Sequence, residues 1–353
     1  MAQRRRVTIK EVAEAAGVST QTVSRVLNSH PDVAPKTLQR IQQIIKDTGY
    51  APNILARSLI RGHSQILGVV AYGLEYFGPS RVLTGIEHQA AEMGYSIFLN
   101  LLHEPETNDI DHLLNNLFAR QVDGVIWAIP EIGHNRGWSH AQSPNFPVPV
   151  MFISGMAGPS TLPLVGVDNR AVGRLATGHL LAGGARRIGI ITGPLNWWEA
   201  CQRQQGWRET LEARGLAAED RQVAVGDWDA KSGEKGLYQL LAQCPDIDAV
   251  FASNDNLALG VLHAAHRLGR RVPEDLSVVG VDNTPDAAHF WPPLTTVRQR
   301  LRESGALVVQ QLDGMIQQAQ LSRGGPDMAP PAVALLQPEL IVRESSRPAA
   351  ASA

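Results

Sequence analysis

Between residues 66 and 281 short apolar runs alternate with amphipathic stretches, and this alternation limits the fold more than any other feature of the chain. The runs at 66–71, 96–101, 124–128 and 148–153 read as strands, with helical stretches at 79–93 and 108–119 between them. The scheme repeats with runs at 164–167, 187–192, 222–225, 249–252 and 277–281, and helices begin near Asn169, Trp198, Lys231 and Asp255. Buried strands separated by helices pair in parallel, because each helix carries the chain back across a face of the sheet. The repetition predicts two similar lobes with a cleft between them. Chain crossings are expected near Val167, residues 292–296 and Gly324, with a last strand at 338–342.

Ligands of open parallel sheets bind beyond the carboxyl ends of the strands, so the residues that follow each run become candidates. Tyr76, Phe77, Asp168, Trp197, Trp198, Trp228, Asn254, Asp255 and Asp282 occupy such positions. Indole rings stack on the apolar faces of a pyranose, while carboxylate, amide and guanidinium groups pair with its hydroxyls. Asp168 and Asp255 also suit helix N-caps, and Trp207 suits a core position.

The net charge of -2 conceals a division. Residues 1–62 hold ten Lys or Arg against four Asp or Glu, a balance of +6 that leaves -8 for the rest. Within this basic segment Thr8 and Glu11 form a capping box for a helix whose Ile9, Val12, Ala13 and Ala16 share one face. Gly17 permits a tight reversal, and Ser19 caps a second helix from Thr20 to about Asn28. That is a helix-turn-helix. Val23, Val26 and Leu27 turn inward, leaving Thr20, Gln21, Ser24 and Arg25 outward, where Gln21 suits adenine and Arg25 suits guanine in a major groove. A third helix follows Pro35, and Leu38, Ile41, Ile44 and Ile45 close the small core.

Several function classes lack their motifs. There is no Gly-x-Gly-x-x-Gly after a strand and no Gly-x-Ser-x-Gly, and Gly226-Asp227-Trp228-Asp229-Ala230-Lys231-Ser232 lacks the glycine a phosphate loop needs before its lysine. Eleven histidines show no His-x-x-x-His spacing, and Cys201 and Cys244, both expected to be buried thiols, form no Cys-x-x-Cys. No enzyme, cofactor or metal is expected. No run approaches the ~18 apolar residues of a membrane span, and the basic start leads into no signal-peptide core, so a cytoplasmic protein is expected.

The run from Val7 to Ser19 (Val-Thr-Ile-Lys-Glu-Val-Ala-Glu-Ala-Ala-Gly-Val-Ser) followed by Gln21-Thr22-Val23-Ser24-Arg25-Val26-Leu27-Asn28 resembles the lactose/galactose repressor family. Tyr50-Ala51-Pro52-Asn53 and Ala56-Arg57-Ser58-Leu59 extend the likeness. The resemblance implies a small all-α helix-turn-helix DNA-binding domain (1–50) and a hinge helix or linker (51–62). A two-lobed α/β effector and dimerisation domain with Rossmann-like parallel sheets, similar to periplasmic binding proteins, would follow (63–345), then a flexible tail (346–353). It further implies operator contacts from Thr8, Ser19, Thr20, Gln21, Thr22, Ser24, Arg25, Asn28, Asn53, Ala56, Arg57 and Leu59, with Leu59 wedged into the minor groove. Its ligand positions fall on Phe77, Trp197, Arg203, Trp228, Asn254 and Asp282; Ser154 stands where a family member uses an acidic contact. The implied partners are pseudo-palindromic double-stranded operator DNA, a second copy of the chain and a mono- or disaccharide effector. A purine or other small metabolite is the alternative effector, and a sugar-binding transport protein, favoured by the two lobes but opposed by the DNA-reading head, is the alternative function. The C-terminus has no leucine heptads, so a dimer rather than a coiled-coil tetramer is expected.

Overall fold

A computed structural model describes residues 7–27, 32–50, 63–103, 110–130, 146–153, 163–321 and 333–348. The chain divides into two compact units, residues 1–64 and 65–353.

In the first unit, helices α1 (Ile9–Ala16), α2 (Thr20–Leu27) and α3 (Pro35–Thr48) enclose a core of Val12, Ala13, Ala16, Val23, Val26 and Ile41. Ile9, Val18, Leu38, Ile44, Ile45 and Tyr50 pack against it. The capping box is formed: the Glu11 amide donates to Thr8 Oγ1 at 3.3 Å, and Glu11 Oε2 accepts from the Thr8 amide at 2.7 Å. Gly17 ends α1 in the left-handed region (φ 59°, ψ 39°), where its amide reaches the carbonyls of Ala13 and Glu14. An added Cβ there would meet nothing within 4 Å, so conformation rather than space requires the glycine. Pro35 stands at the start of α3 and Gly49 closes it at φ 63°.

The second unit contains two six-stranded sheets. The first lobe comprises β1 (Ile66–Tyr72), α4 (Phe77–Glu92), β2 (Ser96–Leu102), α5 (Ile110–Phe118), β3 (Gly124–Ala128), β4 (Val150–Ile153) and β5 (Leu164–Val167). The second holds α6 (Asn169–Ala182), β6 (Ile188–Thr192), α7 (Trp198–Glu212), β7 (Val223–Val225), α8 (Ala230–Gln243), β8 (Ala249–Ala252), α9 (Asp255–Arg267), β9 (Ser277–Val281) and β10 (Thr295–Arg298). Helix α10 (Leu301–Leu321) and β11 (Val333–Leu336) return to the first lobe, and β12 (Glu339–Ile341) ends in the second. The sheet orders are β11-β5-β4-β3-β1-β2 and β12-β10-β9-β8-β6-β7. All pairings are parallel except β12 with β10, for β12 arrives from the other lobe with no crossover helix to turn it round.

The chain crosses between lobes at Asp168, at residues 299–300 and at residues 337–338. The first matches expectation; the other two correct it. Residues 292–296 look like a linker because of Pro292-Pro293, yet Leu294 is fully buried and Thr295 opens a strand of the second sheet. Past Gly324 the chain still serves the first lobe, where β11 pairs with β5. The longest helix, α10, is not among the expected elements, although Val308, Leu312 and Ile316 carry its four-residue burial spacing.

Two further expectations are corrected. The tail does not begin at 346: Ser345 and Ser346 are buried, Ser345 Oγ donates to the Val278 carbonyl at 2.7 Å, and Ser346 Oγ lies 2.8 Å from both Thr295 Oγ1 and His179 Nε2. Three hydroxyl-bearing residues and a histidine satisfy one another there, which makes this polar segment part of the second lobe's core. Cys201 is half-buried, with Sγ donating to the Leu195 carbonyl at 3.0 Å, whereas Cys244 is buried as expected.

Helix pairs set the lobes' thickness. A Cβ on Gly173 of α6 would collide with the carbonyl of Arg203 on α7, and one on Gly206 with the carbonyl of Arg170. Gly85 of α4 and Gly305 of α10 make the equivalent crossing in the first lobe, facing the carbonyls of Arg302 and Val82. Backbones touch at both crossings, and this fixes where α7 and α10 start relative to the cleft.

Candidate functional site

On α2, Ser19 Oγ accepts from the Thr22 amide at 3.1 Å and lies 2.9 Å from Thr22 Oγ1, so both residues hold the N-terminus of the helix. Thr20, Gln21 and Arg25 are exposed, Thr22 and Ser24 half-buried, and Val23 and Val26 face the core. Thr8 is occupied in the α1 capping box. Gln21 and Arg25 thus stand one turn apart on a solvent face, with the fork geometry that paired hydrogen bonds to base edges require. Asn28, Asn53, Ala56, Arg57, Leu59 and Ser154 lie outside the described residues.

In the second unit a cavity of about 170 Å³ opens between the lobes, against roughly 10–15 Å³ for one water on the same measure. It lies where strands end: Ala71, Ala128, Ile153 and Val167 come from the first sheet, and Trp197, Trp228, Asn254, Asp282 and Gln299 follow strands of the second. All six expected ligand residues, Phe77, Trp197, Arg203, Trp228, Asn254 and Asp282, line it. The two walls differ. The first lobe contributes many aliphatic groups such as Val82, Leu83 and Ile86, with Glu75, Tyr76 and Phe77 at the end of β1, while the second contributes the buried hydrogen-bonded polar groups and two tryptophans.

Arg203 organises the polar wall. It is only 5% exposed, and Nε donates to Asn169 Oδ1 at 2.8 Å, Nη1 to the Ser253 carbonyl at 2.5 Å and Nη2 to Gln299 Oε1 at 3.2 Å. Gln299 Nε2 in turn donates to Asp282 Oδ1 at 2.7 Å. Burial lowers the Arg203 pKa, with Asp282, Glu199 and Asp255 acting against the shift. The guanidinium group stays charged even so.

Asp282 has φ 112° and Asn283 φ 52°, values that non-glycine residues adopt only when their surroundings hold them there. Asp255 does the holding. Fully buried, it accepts from the Thr284 amide at 2.7 Å and from Thr296 Oγ1 at 2.6 Å, while Thr296 Oγ1 lies 3.2 Å from the Asn283 amide that donates to it. Burial raises the pKa of Asp255, helped by the charge of Asp282, and burial raises that of Asp282 against the pull of Arg203 and Gln299. Asp255 suits an N-cap by its sequence position, but the cap of α9 is Asn254, whose Oδ1 accepts from the Leu257 amide at 2.7 Å. Asn254 Nδ2 donates to the Trp228 carbonyl at 2.9 Å, so this residue joins helix, loop and cavity. Asp168 does cap its helix, accepting from the Ala171 amide at 2.8 Å, and Trp207 is fully buried core.

Trp228 sits at φ 62° and is packed so close to Gly193 that any side chain there would overlap its ring. Its ring lies 5.8 Å from that of Trp197, which meets Tyr76 edge-on at 5.5 Å. The Arg203 guanidinium carbon is 5.6 Å from the Trp228 ring centroid. Trp228 Nε1 is buried with no hydrogen-bond partner among the described residues. Sequence reasoning misses Asn169 and Gln299. The strand-end rule finds Gln299 once β10 is recognised, whereas Asn169 gives no local signal beyond its place after Asp168.

Comparison with known proteins agrees with both halves of this geometry. Residues 8–53 match the family described as bacterial regulatory proteins, lacI family, and residues 177–346 match a periplasmic binding protein-like domain. The HTH-type transcriptional regulator CelR of Thermobifida fusca is 32% identical, covering 98% of this chain and all of that protein. The crystal structure of the lac repressor dimer bound to operator and the anti-inducer ONPF superposes with a TM-score of 0.83 at 31% identity, over 97% of this chain and 99% of that one. A CelR–cellobiose complex superposes with a TM-score of 0.68 at 30% identity, over 97% of this chain and 100% of that one. A basic helix-turn-helix unit joined to a two-lobed domain with a cleft, matched along nearly its whole length by these regulators, places this chain in the lacI family of bacterial DNA-binding transcription regulators.

Proposed function

We propose that the chain is a dimeric repressor whose hold on a pseudo-palindromic operator is set by a small saccharide bound between its lobes. The observation that carries the effector half is the cavity itself, with the buried Arg203 network and the Trp197–Trp228 pair on one wall. Stacking faces beside fixed hydrogen-bonding groups suit a ring with apolar faces and a polar rim. The solved relative that holds cellobiose supports the same class of ligand. The chain acts by binding rather than catalysis, in the cytoplasm where its DNA lies.

Ser19, Thr20, Gln21, Thr22, Ser24 and Arg25 meet one major groove per protomer, with Thr8 and Asn28 on the flanking phosphates. Two protomers place their α2 helices about 34–36 Å apart on successive grooves. Asn53, Ala56, Arg57 and Leu59 order in the central minor groove, Leu59 as the wedge. Phe77, Trp197, Arg203, Trp228, Asn254 and Asp282 surround the saccharide, and binding shifts the balance between lobe arrangements that support or release the hinge.

The test is fluorescence anisotropy of the purified protein on labelled DNA from upstream of its own gene, at two salt concentrations, with and without mono- and disaccharides. Selective binding that one sugar shifts supports the reading. Binding that is equal on all DNA, or that no sugar moves, overthrows the repressor half or the effector half respectively.

A further inference from the structure

We propose that the effector carries no phosphate, sulfate or carboxylate group, being a neutral or aminated saccharide. The inference rests on the saccharide reading of the cleft and narrows it by charge. Among the described residues, the charged side chains that line the cavity are Glu75, Glu199, Asp282 and Arg203, three carboxylates against one guanidinium. That guanidinium already directs each of its three nitrogens to a protein acceptor. A second buried carboxylate, Asp255, stands behind Asp282.

Three neutral donors of the lining also have a protein acceptor. The amide nitrogens of Asn169, Asn254 and Gln299 donate to the Val167 carbonyl, the Trp228 carbonyl and Asp282. Helix α7 begins at the cavity, but Glu199 in its first turn already answers the positive end of the helix dipole. Arg81, stacked 4.9 Å from the Phe77 ring centroid, is not part of the lining. An anion entering this space would lose its hydration and, among the described lining residues, face three carboxylates against a single cation whose charge is already shared with three protein acceptors. One buried donor has no acceptor at all among the described residues: the indole N–H of Trp228, a residue 8% exposed. A neutral N–H of that kind suits a hydroxyl or ring oxygen.

The experiment is thermal shift and calorimetry on the full chain with matched sets of ligands: glucose, glucosamine, glucuronate and glucose 6-phosphate, the corresponding galactose series, ribose, ribose 5-phosphate and cellobiose, with adenine as a separate arm. Neutral or amino members are expected to bind about tenfold or more tighter than their anionic counterparts. An anionic member that binds as tightly as its neutral partner overturns the charge inference and leaves the saccharide reading standing. Adenine as the sole hit overturns the saccharide reading, and silence across all arms overturns both. Replacing Glu75→Gln and Glu199→Gln together should then bring the anionic counterpart of the hit into measurable binding. No gain in that variant means shape rather than charge excludes anions, which overturns the inference.

Discussion

The two lobes share one strand order and one way of crossing helices, yet they present opposite surfaces to the cleft. The first lobe ends its strands in small or aliphatic residues, Ala71, Ala128 and Ile153, backed by Val82, Leu83 and Ile86. The second presents a connected polar set, from Asn169 through Arg203 and Gln299 to Asp282 and, through the Asp282 turn, to Asp255 and Thr296. An aliphatic wall adapts to what it covers at little cost, whereas a buried polar network is stable only in the one arrangement that satisfies every member. Under the proposed function, the second lobe would fix the orientation of the saccharide and the first would adapt to it.

The contrast can be broken at four points. The largest effect should come from the helix crossings, where Gly206→Val and Gly305→Val force backbones apart. Each is expected to cost about 3 kcal/mol or more. Calorimetry would show whether the transition moves as one or splits; a variant as stable as the parent would refute the close packing.

Next is Arg203→Ala, which leaves Asn169, Gln299 and the Ser253 carbonyl without their buried donor. A loss of about 3–5 kcal/mol is expected, with no sugar response in anisotropy even under conditions where the fold persists. Leu83→Ala on the opposite wall should cost less than this and keep the response. Equal behaviour of the two variants would erase the difference between the walls.

Third is pH. Asp255 and Asp282 have raised pKa values in the folded state, so the native protein holds protons that the unfolded chain releases. The stabilisation from these protons is complete below the ordinary carboxylate pKa of about 4 and is lost as pH rises through the raised values. Asp255→Asn should flatten that fall in urea melts at stepped pH, and an unchanged slope would contradict the burial argument. His179 has the opposite sign: burial lowers its pKa, so its contribution is lost as pH falls below its ordinary value near 6.5.

The smallest expected effect is Ser346→Ala, about 1 kcal/mol from a lost buried hydrogen bond to Thr295 or His179. A change within error would mean that Ser345 and Arg343, not Ser346, hold the segment after β12.

Much of this architecture is legible in the amino-acid sequence. Local signals such as the Thr8–Glu11 box, Gly17 and the alternation of apolar runs depend on residues close together in the chain, and they mark three head helices and ten strands close to their final bounds. Five of the six expected cavity residues can be found because strand ends in a parallel sheet gather at one edge whatever the details, whereas Arg203, inside α7, is reached only through the family resemblance. Failures come where local chemistry misleads. Pro292-Pro293 looks like a linker although Leu294 is anchored in the core, and Ser345-Ser346 looks like a tail although both hydroxyl groups are satisfied inside the second lobe.

The amino-acid sequence by itself determined the helix-turn-helix, the two-lobed α/β plan and the residue types available to bind DNA and a small ligand, because helix caps, turn residues and periodicity act over short spans. Tertiary structure alone decided that Arg203 belongs with Asn169, Ser253 and Gln299, that Asp255 braces the Asp282 turn instead of capping a helix, and that the two walls of the cleft differ in kind. Those partners stand 34, 50 and 96 residues from Arg203 along the chain, and only the packing of two sheets and their crossing helices brings them within hydrogen-bonding distance.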